Sequence, residues 1–160
     1  MSSLIFMVVL FSLLHCPLPS LSNSEGEALY AFKERLDDPR NALESWDPTL
    51  VDPCTWFHVT CDSSNHVIRL EFNGNYIGGN IPEELGNLGS LVSMDLSNNR
   101  LEGNIPKSFG NLTSLKFLNV SNNHLTLPPV NNNFQTFPME SYENNKFRGW
   151  DLRRLIPDDS

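Results

Sequence analysis

The stretch Leu91–Ser114 reads LVSMDLSNNRLEGNIPKSFGNLTS, and Val67–Ser90 before it reads VIRLEFNGNYIGGNIPEELGNLGS. A third copy opens at Leu115 with LKFLNVSNNHLTLPP, so Val67, Leu91 and Leu115 begin one unit at a constant spacing of 24 residues. Within each unit Leu70 and Phe72, Met94 and Leu96, and Leu118 and Val120 alternate with polar residues. That is the period of a strand with one buried face. Asn75, Asn99 and Asn123 follow. A carboxamide carries donors and an acceptor on a short arm, which suits a chain leaving a strand. Ile77, Leu101 and Leu125 return to the core, Gly79–Pro82 and Gly103–Pro106 bend the chain, and Leu85, Leu88, Phe109 and Leu112 close the outer side. No copy buries its apolar face alone, so the copies must stack. The expected fold is an α/β solenoid: a short right-handed stack over residues 67–128 with a parallel strand ladder inside and irregular coils outside.

The L-x-G-x-I-P-x-x-L-G-x-L pattern resembles the plant-specific class of leucine-rich repeats, found in receptor-kinase ectodomains and in small secreted relatives. Over residues 24–145 the chain resembles the ectodomains of somatic-embryogenesis receptor-like kinases. The resemblance implies a monomeric protein-binding module whose partner is a receptor-kinase ectodomain, acting in defence or developmental signalling. Polygalacturonase inhibitors share this repeat class, which makes inhibition of a secreted wall-degrading enzyme the alternative. Those inhibitors carry more coils and a cysteine-paired C-terminal cap, and this chain departs on both counts.

The chain has 160 residues and a formal net charge of −8, with a pI of about 4.8. This balance argues against nucleic acid, whose phosphates require clustered Lys and Arg. Residues 1–22 read as a signal peptide: 4–14 are almost wholly apolar, no acidic residue precedes Glu25, and Ser20 and Ser22 suit cleavage after Ser22. Cys16 would leave with it. The apolar run is shorter than the roughly 20 residues a spanning helix needs, so a secreted, extracellular protein without stable membrane insertion is expected.

Residues 23–66 read as an N-terminal cap. Ser24-x-x-Glu27 is a capping box, and the stripe Ala28, Leu29, Phe32, Leu36 predicts a helix that stops near Asp38, before Pro39. Leu43 and Trp46 are expected to pack on the first coil. Cys54 and Cys61 are the cysteines remaining after cleavage. A disulfide is the default in an oxidising compartment. A zinc set of Cys54, His58, Cys61 and His66 is the sharper reading, but its spacing lacks the close Cys pair and separate His pair of a finger. The paired-cysteine W-x-x-V-x-C element of the resembling family supports the bridge. His58 is expected on a strand at the cap edge.

The positions between buried residues define a candidate partner-binding face: Arg69, Glu71 and Asn73, then Ser93, Asp95 and Ser97, then Phe117 with Asn119 and Ser121. Phe117 is its one large apolar residue, read either as a contact or as packing for the third coil. Two N-glycosylation sequons occur, at Asn111 on the outer side and at Asn119 on the concave strand. Past Pro128 the repeat fades, and 129–160 reads as a degenerate cap or tail. Trp150, Leu152, Leu155 and Ile156 read equally as a short amphipathic helix over the open end or as part of a disordered tail.

No catalytic, cofactor or metal set is expected. Gly-x-Ser-x-Gly, a phosphate-binding Gly-Lys-Ser/Thr loop and His-Glu-x-x-His do not occur. The carboxylate pairs Asp37-Asp38, Glu83-Glu84 and Asp158-Asp159 are sequence neighbours at element ends or in the tail. The chain therefore reads as a binding module and not as an enzyme.

Overall fold

The computed structural model describes residues 24–47, 49, 52–127, 132–149 and 153–155. The proposed signal peptide with Cys16, and Trp150, Leu152 and Ile156, lie outside the described residues.

Helix α1 spans Ser24–Glu34 and buries Ala28, Leu29 and Phe32. It stops earlier than its apolar stripe predicts. Leu36–Asp37 forms strand β1, antiparallel to Gly78 and Gly79 of β4 (Gly78–Asn80). Gly79 makes this possible: its φ is +98°, and a Cβ there would strike the Arg35 carbonyl. Asp38 then turns the chain, its carboxylate accepting from the N–H groups of Ala42 (2.9 Å) and Leu43 (2.8 Å). Leu43 and Trp46 are buried as expected. The Trp46 ring packs 5.2 Å from both Trp56 and Phe72, joining cap to first coil.

The concave sheet contains β2 (Val59–Cys61), β3 (Val67–Glu71), β5 (Ser93–Asp95) and β7 (Phe117–Asn119) in that order. β2 is antiparallel to β3, and the rest are parallel in the repeat register: Arg69 pairs with Ser93 and Ser93 with Phe117. The outer side is more regular than the expected irregular coils. A second sheet runs β1–β4–β6–β8, with β6 at Arg100–Asn104 and β8 at His124–Leu127. Equal coil lengths place equivalent extended segments over one another, and their backbone groups pair. The chain then returns through 3-10 helices at Glu83–Asn87 and Lys107–Asn111, each starting after a proline and burying Leu85 or Phe109.

Asparagines join the coils as their positions suggest. Asn99 Oδ1 accepts from the N–H groups of Asn75 (3.1 Å) and Ile77 (3.0 Å) of the coil before. Its Nδ2 donates to the carbonyls of Phe72, Leu96 and Ser97 at 2.8 to 3.1 Å. Asn123 repeats this one coil later, accepting from Leu101 N–H at 3.0 Å and donating to Leu96, Val120 and Ser121. The preceding residue takes a left-handed conformation each time: Gly74 (φ +76°), Asn98 (+56°) and Asn122 (+56°). Asparagine and glycine are the residues that tolerate it.

The ladder continues past residue 128. Asn145 Oδ1 accepts from Leu125 N–H (3.0 Å), its Nδ2 donates to Val120 and Tyr142, and Asn144 before it has φ +56°. Val120 and Asn122 donate to the Ser141 and Glu143 carbonyls, as Leu96 and Asn98 donate to Asn119 and Ser121. Residues 137–147 therefore build a fourth turn at a shorter spacing. Tyr142 fills its apolar position, buried and donating its hydroxyl to the Phe134 carbonyl at 3.0 Å. Leu155, in a 3-10 turn at Arg153–Leu155, is also buried.

Asn99→Ala is expected to cost on the order of 3 kcal/mol, because it strands several buried backbone groups. Asn145→Ala, at a half-buried outer rung, is expected to cost less. Urea unfolding of both variants checks the order; an Asn99→Ala loss no larger than that of Asn145→Ala contradicts it.

Candidate functional site: the concave ladder and the cap edge

Parallel register brings the predicted face together. Arg69, Ser93 and Phe117 stand in one row across β3, β5 and β7, and Glu71, Asp95 and Asn119 in the next. The cap end is charged: Arg69 Nη1 lies 3.4 Å from Glu71 Oε1, both largely exposed. The far end is apolar: Phe117 is 46% exposed, which decides against its reading as core. The fourth turn follows β7 through a 3-10 helix at Met139–Tyr142, whose first residue, Met139, is 37% exposed. Sequence reading stopped at the fading repeat and missed Met139; the Asn144-Asn145 pair would have restored the register.

The third row does not serve as expected. Asn73 is exposed, but Ser97 is only 3% exposed and Ser121 is buried too. The Asp95 carboxylate accepts from Ser97 N–H at 3.0 Å, and Asn119 Oδ1 accepts from Ser121 N–H at 3.1 Å. These bonds fold each serine under the turn leading to the asparagine rung, so Ser97 leaves the contact face. Asn119 is half-buried and engaged, whereas Asn111 is exposed at the end of its outer 3-10 helix.

The cap edge adds a residue that sequence reading passed over. Phe57 is 71% exposed. Its backbone is held on both sides: its N–H donates to Ser45 Oγ (2.9 Å) and its carbonyl accepts from Trp46 Nε1 (2.8 Å). His58 follows at φ +70°, just before the strand expected to carry it, with its carbonyl accepting from Glu71 N–H at 3.0 Å. The His58 ring lies 5.3 Å from Phe72. Phe57 is thus an apolar side chain on a fixed backbone beside the charged end of the ladder.

Cys54 and Cys61 form a disulfide with Cα atoms 5.5 Å apart, so the zinc reading fails: both sulfurs are consumed. Among the described residues no group of three or more His, Cys, Asp or Glu is placed to hold a metal ion. Asp62 organises the hairpin after the bridge. Its carboxylate accepts from His66 N–H (3.0 Å) and Ser64 N–H (2.8 Å), and these bonds, the His66 one first, hold its pKa below the ordinary aspartate value. On the outer side, Ser108 N–H and then its hydroxyl lower Glu83 in the same way.

A leucine rich repeat N-terminal domain matches residues 22–62, and leucine rich repeats match 63–125 and 114–144. The chain belongs to the leucine-rich repeat proteins, and its fold is a leucine-rich repeat stack with a helical N-terminal cap. It is 54% identical over 67 residues to leucine-rich repeat protein 1 of Arabidopsis thaliana, a match covering 42% of this chain and 31% of that protein. The chain thus spans about a third of the length of the curated relatives it matches. The crystal structure of PEPR1-AtPEP1 superposes with a TM-score of 0.69 at 30% identity, covering 83% of this chain and 20% of that one. The structure of the Arabidopsis receptor kinase HAESA with the peptide hormone IDA and the co-receptor SERK1 is similar at a TM-score of 0.53 and 26% identity, covering 83% and 32%.

Cys54→Ser is expected to cost about 2–5 kcal/mol in a domain this small. An unchanged melting temperature under non-reducing conditions contradicts a bridge that holds the cap.

Depressed carboxylates contribute stability that is complete above their unfolded-state pKa and disappears as pH falls through the lower folded-state value. The melting temperature is therefore expected to fall below about pH 4, with a shallower fall in Asp62→Asn. Thermal scans from pH 7 to pH 2 check this; superimposable profiles contradict it.

Proposed function

We propose that this chain is a secreted, extracellular protein-binding module that associates as a monomer with receptor-kinase ectodomains at the plant cell surface, in defence or developmental signalling. The observation that carries the reading is the row Arg69–Ser93–Phe117, charged at the cap end and apolar at the other, with Phe57 on a pinned backbone beside it. A partner loses little binding energy to ordering such a surface, and buried aromatic anchors dominate interface energies. The similar solved structures support it, since the HAESA complex joins a receptor kinase to a peptide hormone and a co-receptor. Among the described residues no helix is long and apolar enough to cross a membrane.

Glycosylation at Asn111 fits this reading, because its exposed outer position leaves the concave row clear. A glycan at Asn119 would stand beside Phe117 and restrict binding to the first coils and the cap edge. Inhibition of a wall-degrading enzyme has no separate observation in its favour.

Capture from plant cell-surface and apoplast extract with the tagged secreted protein, read by mass spectrometry, tests the proposal. Receptor-kinase ectodomains are expected, with Phe57→Ala and Phe117→Ala each reducing recovery about tenfold or more while leaving the fold intact. Specific recovery of a wall-degrading enzyme in their place overturns it, as does capture indifferent to both substitutions.

A further inference from the structure

On the side of the second sheet, the Tyr76 ring meets two guanidinium groups from different units. Arg40 Cζ, from the cap turn after β1, lies 3.6 Å from the ring centroid, and Arg100 Cζ, at the start of β6, lies 5.1 Å away. Tyr76 is 42% exposed and has φ +62°. The corresponding residues of later coils, Arg100, His124 and Lys146, are not in that region. A bulky residue held there is strained, and the turn it follows already has its left-handed residue in Gly74.

The two cations also lack acidic partners. Among the described residues neither Arg40 nor Arg100 has a carboxylate within ion-pair distance, whereas Arg35 and Arg69 each have one at 3.4 Å. Asp37 is close in register, through Gly78 to Arg100, but makes no ion pair with it. In a chain of net charge −8, two guanidiniums therefore share one ring without a carboxylate in ion-pair contact among the described residues. At 3.6 Å the Arg40 group lies against the ring face, which uses its π surface and leaves its N–H edge to donate. That edge matches a carboxylate in a two-bond fork.

We infer that Arg40, Tyr76 and Arg100 form a binding site for the carboxylates of an acidic segment of a protein partner. The site is open and spans the cap and the first two coils, so it meets a side chain presented by a large surface and does not enclose a free ion. It lies on the second sheet and uses none of the concave row, so it stands or fails separately from the receptor-binding reading.

Fluorescence anisotropy with a labelled hexaglutamate peptide tests it on the whole secreted protein, with hexalysine and a carboxylated oligosaccharide of equal charge as comparison probes. Binding of hexaglutamate against the chain's overall charge is expected, weakened about tenfold by Arg40→Ala and by Arg100→Ala and further by salt. Arg35→Ala, which removes an arginine already paired with Glu84 and outside the concave row, is expected to leave it unchanged. Tyr76→Asn removes the ring but suits the left-handed backbone, so it should keep or raise the melting temperature while weakening the peptide about tenfold. A lowered melting temperature with unaltered peptide binding would show that the cluster is only a staple between coils, overturning the site. Hexaglutamate binding no better than hexalysine, or the oligosaccharide binding more tightly than the peptide, also overturns it.

Discussion

From the second coil on, the chain leaves its concave strand at an asparagine whose carboxamide bonds backbone groups of two coils at once, whereas Asn75 of the first coil donates only to Phe72 and Asn73 of its own coil. Asn99 ties Phe72 and Ile77 of one coil to Leu96 and Ser97 of the next, and Asn123 ties the following pair. The turn needs buried backbone groups bonded where neither sheet reaches them. An unbonded buried amide costs about 1–3 kcal/mol, so one empty rung opposes a large part of a small domain's stability. Leucines alone would give apolar stacking without a fixed register; the rungs supply it. The left-handed residue before each rung sets the chain direction that lets the carboxamide turn inward.

The geometry of the candidate face follows from the same constraint. Once the rungs lock the register, positions between the core residues line up in rows whatever their chemistry. The rows are then free to carry Arg69 and Glu71 at one end and Phe117 at the other. The cap is held by other means: the aromatic cluster of Phe32, Trp46, Trp56 and Phe72, the Cys54–Cys61 bridge, and β1 against Gly78 and Gly79. Its fixed backbone puts Phe57 into solvent, where an unconstrained loop would fold it away.

Repeat spacing made the fold, the buried stripe, the asparagine rungs and most of the concave face legible from sequence. The second sheet was not, because pairing between outer segments depends on coil stacking and leaves no residue periodicity. The fourth turn was hidden by its shorter spacing, with Glu140 and Tyr142 standing where earlier coils carry Met94 or Leu118 and Leu96 or Val120. The early end of α1 was hidden because Leu36 continues the helical stripe, and only the distant Gly79 turns it into a strand. Ser97 was misread because alternation predicts exposure, while the Asp95 turn draws it inward. Phe57 carries no sequence signal as a contact; its exposure follows from bonds made by Ser45 and Trp46.

Native-state hydrogen exchange at the amides of Ile77, Leu101 and Leu125 tests the claim that the asparagine ladder sets the fold. Each donates to a carboxamide of the next coil, Asn99, Asn123 or Asn145, and not to a sheet carbonyl. The account predicts that Ile77 and Leu101 exchange only by opening with free energies close to that of global unfolding, with Leu125 somewhat less protected at the outer rung. Rapid exchange at Ile77 and Leu101, while the amides of β3 and β5 stay protected, would show that the sheets hold the stack and that the rungs merely follow.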